Sequence, residues 1–114
     1  MYRIGIPNEQ HQSESRVSII PDDVTRLIRD NPNNIAIYVQ ANAGKHVGYS
    51  DTDYAFSGAT IVDTIQEVYE NADIIVRVKE PHPSEFRYIT SRHTVMAFFH
   101  FGRNFNLHIN IKPL

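Results

Sequence analysis

Residues 63–78 read DTIQEVYENADIIVRV, and two periods meet inside that stretch. Ile65, Val68, Tyr69 and Ala72 recur at i, i+3, i+4 and i+7, which lays them along one face of a helix. Asp63 and Gln66 make an Asp-x-x-Gln start of the capping-box type in front of it. From Asp73 to Val78 the helical period gives way to a mostly apolar run, the pattern of a strand buried in a parallel sheet. Helix followed directly by buried strand points to an α/β domain.

The rest of the chain repeats that alternation on both sides. Upstream, Tyr2 to Ile6 alternates and stops at Pro7, a short strand. A polar stretch from Asn8 to Ser15 follows, long enough to carry function rather than connection alone. Pro21-Asp22-Asp23 opens a helix, since proline suits the first turn and carboxylates suit the positive end of the dipole. Val24, Leu27 and Ile28 share its apolar face, and Asn31-Pro32 stops it. Ile35 to Val39 is a second strand, closed by a turn from Gly44 to Gly48. Ser50-Asp51-Thr52-Asp53 starts a short helix that Gly58 ends. Downstream, Pro81 and Pro83 break the chain, a short helix runs from about Ser84 to Tyr88, and Thr94 to Phe99 is another apolar strand. Leu107 to Ile111 alternates as a candidate last strand. The expectation is a single three-layer α/β domain over residues 1–114, a mainly parallel sheet flanked by helices.

Composition narrows the function classes. There are 11 Lys and Arg against 13 Asp and Glu, with no basic run beyond two residues, so no nucleic-acid partner is expected. The absence of cysteine excludes disulfides, thiolate metal sites and a cysteine nucleophile. The 6 histidines (11, 46, 82, 93, 100 and 108) show no paired ligand spacing, and no metal site is expected. The longest apolar stretch, Val95 to Phe99, falls far short of the roughly 20 residues that span a bilayer, so no membrane partner is expected. Strand-forming residues begin at Tyr2, leaving no room for a signal peptide, and a cytoplasmic location is the expectation.

In open parallel sheets, ligands bind outside the carboxyl ends of the strands. Three residues fall at or after such ends: Arg16 in the loop after the first strand, Lys79 after Val78, and His100 after Phe99. A guanidinium can grip a carboxylate with two hydrogen bonds. An ammonium can polarise a carbonyl, and an imidazole can shuttle a proton near neutral pH. Each residue also has a plainer reading: Arg16 as solvated surface, Lys79 as a charged strand end, and His100 as a hydrogen-bonded core histidine. Gly44-Lys45-His46-Val47-Gly48 is neither a P-loop nor a Gly-x-Gly-x-x-Gly fingerprint, and no such fingerprint occurs anywhere in the chain.

Several blocks, in order, resemble one family. RIGIPNEQHQSESRVSIIP is similar to the opening of alanine dehydrogenases and of the nicotinamide nucleotide transhydrogenase α-subunit, where Arg-Ile-Gly-Ile/Val-Pro-Lys-Glu leads to Glu-x-Arg-Val and then Thr-Pro. ANAGKHVGYSDTDYAFSGATIVD resembles the family's Gly-Ala-Gly turn, its Phe-x-Asp-x-x-Tyr helix and its Ala-Gly-Ala-x-Ile. ADIIVRVKEP resembles its Ala-Asp-(apolar)-Lys-Val-Lys-Glu-Pro, and VMAFFHF resembles the strand that ends in its active-site histidine. The likeness runs from Arg3 to about Phe101. Saccharopine dehydrogenases and lysine–ketoglutarate reductases share the domain type and the Lys/His pair. Three blocks depart from the pattern: Asn8-Glu9 replaces Lys-Glu, Ile20-Pro21 replaces Thr-Pro, and FGRNFNLHINIKPL replaces a helix rich in small residues.

The resemblance implies an incomplete flavodoxin-like or Rossmann-like substrate domain. It implies Arg16 on the substrate carboxylate, Lys79 on the carboxylate or keto oxygen, and His100 as acid/base partner at the reacting carbon. The implied reaction is reversible oxidative deamination of L-alanine or a similar amino acid to its 2-keto acid, so the ligand is a small keto acid or amino acid. NAD(H) or NADP(H) is implied for the complete enzyme but no cofactor for this chain, whose nucleotide-binding domain is expected to be missing or on a separate chain. Homo-oligomerisation stays open. The competing readings are a non-catalytic binding or assembly module, a degenerate fragment, and a saccharopine-type substrate of the lysine/2-oxoglutarate class.

Overall fold

A computed structural model describes residues 1–9, 14–101 and 104–108, giving the backbone alone for 98–101 and 104–108. Among these described residues, six strands form one sheet: β1 (Tyr2–Ile6), β2 (Ile35–Gln40), β3 (Thr60–Val62), β4 (Ile74–Arg77), β5 (Thr94–Phe101) and β6 (Asn104–His108). The described helices between them are α1 (Pro21–Asp30), α2 (Asp51–Ser57) and α3 (Ile65–Asn71), with short 3₁₀ helices at Lys45–Val47 and Pro83–Tyr88.

The sheet order is β3-β2-β1-β4-β5-β6. β1 to β5 are parallel, and β6 returns antiparallel to β5. From β1 the chain builds outward through β2 and β3, then crosses back to place β4 and β5 on the other side of β1. The direction of winding therefore reverses between β1 and β4, which makes their carboxyl ends the place where an open α/β sheet leaves a crevice.

Strand alternation sends neighbouring residues into two separate cores. On one face Ile6, Ile37 and Val39 pack with Val24 of α1 and Tyr54 of α2. On the other, Ile75 and Val95 pack with Val68, Tyr69 and Ala72 of α3 and with Ile89. This is the expected three-layer architecture. Gly5 sets the spacing on the second face: a Cβ there would stand 2.7 Å from Val68 Cγ1 and 2.8 Å from Ala72 Cβ. Only hydrogen at that position lets α3 lie this close to β1.

Local signals explain most boundaries, and four expectations need correction. Ser50 Oγ accepts the Asp53 N–H while Asp53 accepts the Ser50 N–H, and Gly58 ends α2 at φ 110°. The α3 capping box, however, is Thr64 with Glu67, one residue later than Asp63 with Gln66. β3 is a further strand that the sequence pattern does not announce. β5 continues to Phe101, which places His100 inside the strand rather than after it. The last strand is Asn104–His108, earlier than Leu107 to Ile111; residues 109–111 lie outside the described residues. Among the described residues no helix is long and apolar enough to cross a membrane.

Candidate functional site

The segment after β1 is tied to the strands on either side. Asn8 donates its N–H to Gln40 Oε1 (2.8 Å) and its Nδ2 to the Ala41 carbonyl (3.2 Å), at the end of β2. Glu9 turns the other way: Oε2 accepts the Val78 N–H (2.7 Å) and Oε1 accepts the Lys79 N–H (2.9 Å), just past β4. Its carboxylate thus spans the point where the winding reverses. Both oxygens face N–H donors, an arrangement that suits the ionised form.

Beneath Lys79 lies a buried charge cluster. Arg77, at 0% exposure, donates Nε to the Lys79 carbonyl (2.9 Å) and Nη1 to Glu85 Oε1 (2.5 Å), and Nη2 stands 3.7 Å from Glu9 Oε1. Glu85 also accepts the Tyr69 hydroxyl (3.0 Å), which brings α3 and the Pro83–Tyr88 helix into the network. Burial raises the Glu9 carboxyl above its ordinary value, with Arg77 and the two backbone donors pulling the other way. Burial likewise pushes the Tyr69 hydroxyl up, with Glu85 adding to the shift. Arg77 Nη2 has no hydrogen-bond partner among the described residues.

Arg16 belongs to a second, more open pair. Ser18 Oγ donates to the Val76 carbonyl (2.7 Å), and the Tyr54 hydroxyl donates to the Ile19 carbonyl (2.7 Å); these bonds fix the segment before α1 against β4 and α2. Arg16 grips Glu14 side-on, Nε to Oε1 at 2.8 Å and Nη2 to Oε2 at 2.9 Å. That hydrogen bond holds the Glu14 carboxyl down at about 2, with the Lys79 charge lowering it further, and it raises Arg16 in turn. One carboxylate is therefore acted on by both Arg16 and Lys79. The Lys79 ammonium itself has no hydrogen-bond or ion-pair partner among the described residues.

The structure thus places Lys79 just past β4, and Arg16 on the segment that Ser18 ties to Val76 of β4, with Glu14 common to both. The backbone of His100 sits near the carboxyl end of β5, three positions past Ala97, which pairs with Arg77. The His100 side chain lies outside the described residues.

With this geometry in place, likeness to known proteins establishes ancestry. The family model "Alanine dehydrogenase/PNT, N-terminal domain" matches residues 5–111. The chain belongs to that family. It is 34% identical over 98 residues to the alanine dehydrogenase of Mycobacterium tuberculosis, covering 86% of this chain and 26% of that protein. It is 30% identical over 105 residues to the NAD(P) transhydrogenase subunit alpha of Cereibacter sphaeroides, covering 92% of this chain and 20% of that one. The alanine dehydrogenase/PNT domain therefore spans about a quarter or less of the curated relatives it matches. Two solved structures share its fold at 24% identity. An L-alanine dehydrogenase has a TM-score of 0.71 over 84% of this chain and 31% of that one. A transhydrogenase from Sinorhizobium meliloti has a TM-score of 0.73 over 85% of this chain and 28% of that one.

Reading for strand ends leads to Arg16 and Lys79 but not to Glu9, Glu14, Arg77 and Glu85, which the structure packs beside them. One signal was present. Arg77 interrupts the apolar run IIVRV, and a charged residue on a buried strand requires buried partners.

Proposed function

We propose that this domain is the substrate-binding part of an NAD(P)-linked amino-acid dehydrogenase, taking a small 2-keto acid or amino acid between Arg16 and Lys79. The observation that supports this is the Glu14 carboxylate, hydrogen-bonded by Arg16 and stabilised by the charge of Lys79. Two cations that act on one carboxylate of the chain can act on one carboxylate of a ligand. Glu14 uses the Nε/Nη2 edge of Arg16, which leaves the Nη1/Nη2 edge to grip an incoming carboxylate with two hydrogen bonds.

In this reading Lys79 donates a hydrogen bond from Nζ to the keto oxygen and draws electron density from the reacting carbon. His100 gives or takes the proton at the same centre, a role resting on the position of its backbone in β5 and on the family likeness. The chain's residues do not fit a dinucleotide. None of its glycines forms Gly-x-Gly-x-x-Gly, and the first turn of α1 carries Asp22 and Asp23, which repel a phosphate where that fingerprint would hold one. The hydride carrier, NAD(H) or NADP(H), would sit on another domain or chain.

The test is an amide NMR titration of this chain with pyruvate, 2-oxoglutarate and NADH. Shifts around Arg16 and Lys79 with a keto acid, and none with NADH, are expected; a stronger response to 2-oxoglutarate would favour the saccharopine-type substrate. Silence at both residues with either keto acid would remove the catalytic reading and leave an assembly module.

A further inference from the structure

We propose that Glu9 is a positioning residue for Lys79, fixing its backbone so that the ammonium points into the candidate site; this rests on the substrate reading above. Both backbone polar groups of Lys79 are held by buried charged side chains. Its N–H is bonded by Glu9 at 2.9 Å and its carbonyl by Arg77 Nε at 2.9 Å. The preceding Val78 N–H is bonded by the second Glu9 oxygen at 2.7 Å. Glu9 and Arg77 are 2% and 0% exposed. The two residues after β4 are therefore anchored by three hydrogen bonds to buried side chains, while Lys79 itself is only half-buried.

Stability alone does not account for this arrangement. Removing two charges from water costs more than apolar packing of similar volume, and a buried pair is often replaceable by hydrophobic residues without loss. Arg77 also keeps Nη2 without a hydrogen bond among the described residues, so the cluster is not optimised for its own bonding. What the carboxylate does achieve is specific: it bridges 70 positions of sequence to end on the N–H of Lys79. A side chain is held on target when the groups behind it are locked by buried bonds.

The experiment compares wild type, Glu9→Gln and Tyr69→Phe in this 114-residue chain. Tyr69→Phe is the stability control, because it loosens the same cluster at Glu85 without touching the backbone of Lys79. Amide hydrogen exchange at Val78 and Lys79 and the pyruvate Kd are both read. Glu9→Gln is expected to speed exchange at those two amides and weaken pyruvate binding about tenfold, because small misplacements of a charged contact are costly. Tyr69→Phe is expected to leave the Kd within about twofold of wild type, as a change outside the contact shell does. Should Glu9→Gln not fold, Glu9→Asp keeps the charge beside Arg77, draws the carboxylate back and gives the same readout. Equal affinity in the folded Glu9 variant and wild type, or equal losses in the Glu9 and Tyr69 variants, overturns the positioning role alone. Absence of pyruvate binding by wild type overturns the substrate reading and the positioning role with it.

Discussion

Replacing Arg77 by methionine removes the cation that both Glu9 and Glu85 face, and the response to pH reveals how its loss is absorbed. Removing one partner of a buried ion pair costs about 3–5 kcal/mol. A second route to the magnitude is the proton. Glu9 can escape an uncompensated charge by becoming neutral, which costs more the further the pH lies above its ordinary pKa of 4.5, a few kcal/mol at neutral pH. The two routes agree in scale, and the loss is a large part of the roughly 5–15 kcal/mol that folded domains possess. The sign follows from proton counting. Burial already raises Glu9, and removing Arg77 takes away the charge that opposed the shift. A carboxyl raised on folding binds more protons in the folded state, so stability falls as pH rises above 4.5 and returns as pH drops. Urea unfolding followed by circular dichroism at pH 5, 6 and 7 is therefore expected to show a deficit near 3–5 kcal/mol at pH 7. Part of that deficit should be recovered at pH 5. A deficit below about 1 kcal/mol, or one equal at pH 5 and pH 7, would refute the charge argument and leave ordinary packing in its place.

Three further outcomes follow from single contacts. Gly5→Ala forces a methyl against Val68 and Ala72 and is expected to cost about 1–3 kcal/mol in urea unfolding; Val68→Ala in the same chain should relieve part of it. Ser50→Ala removes the side-chain half of the α2 capping box and is expected to cost about 1 kcal/mol, read as a lower Tm. The Glu14 carboxyl falls from 4.5 to about 2 on folding, so its contribution is present above pH 4.5 and is lost as pH falls toward 2. The stability gap between wild type and Glu14→Gln should accordingly be constant above pH 5 and shrink in acid, and a gap that widens in acid would contradict the pairing.

The elements that could be read in the sequence are those whose local chemistry agrees with their burial. The i, i+3, i+4, i+7 face of α3, the proline and carboxylates of α1 and the glycine stop of α2 each act within one turn of helix. β3 escaped because Thr60–Val62 is too short to display alternation and pairs with β2 alone. The α3 start was misplaced by one residue because Asp63…Gln66 and Thr64…Glu67 both fit the capping pattern, and backbone geometry selects the second. Arg16 and Lys79 could be read because strand ends follow from the strands themselves. Their carboxylate partners could not, since Glu9 meets Lys79 across 70 positions and only the order of β1 and β4 in the sheet joins them.

The central claim is that Arg16 and Lys79 act on the same small ligand. A double-mutant cycle on the pyruvate Kd, using Arg16→Gln, Lys79→Gln and the pair, measures this directly. Groups that share one ligand couple by about 0.5–3 kcal/mol, so the double variant should lose less affinity than the two single losses combined. Strictly additive losses, or single variants that bind pyruvate as wild type does, would contradict the account.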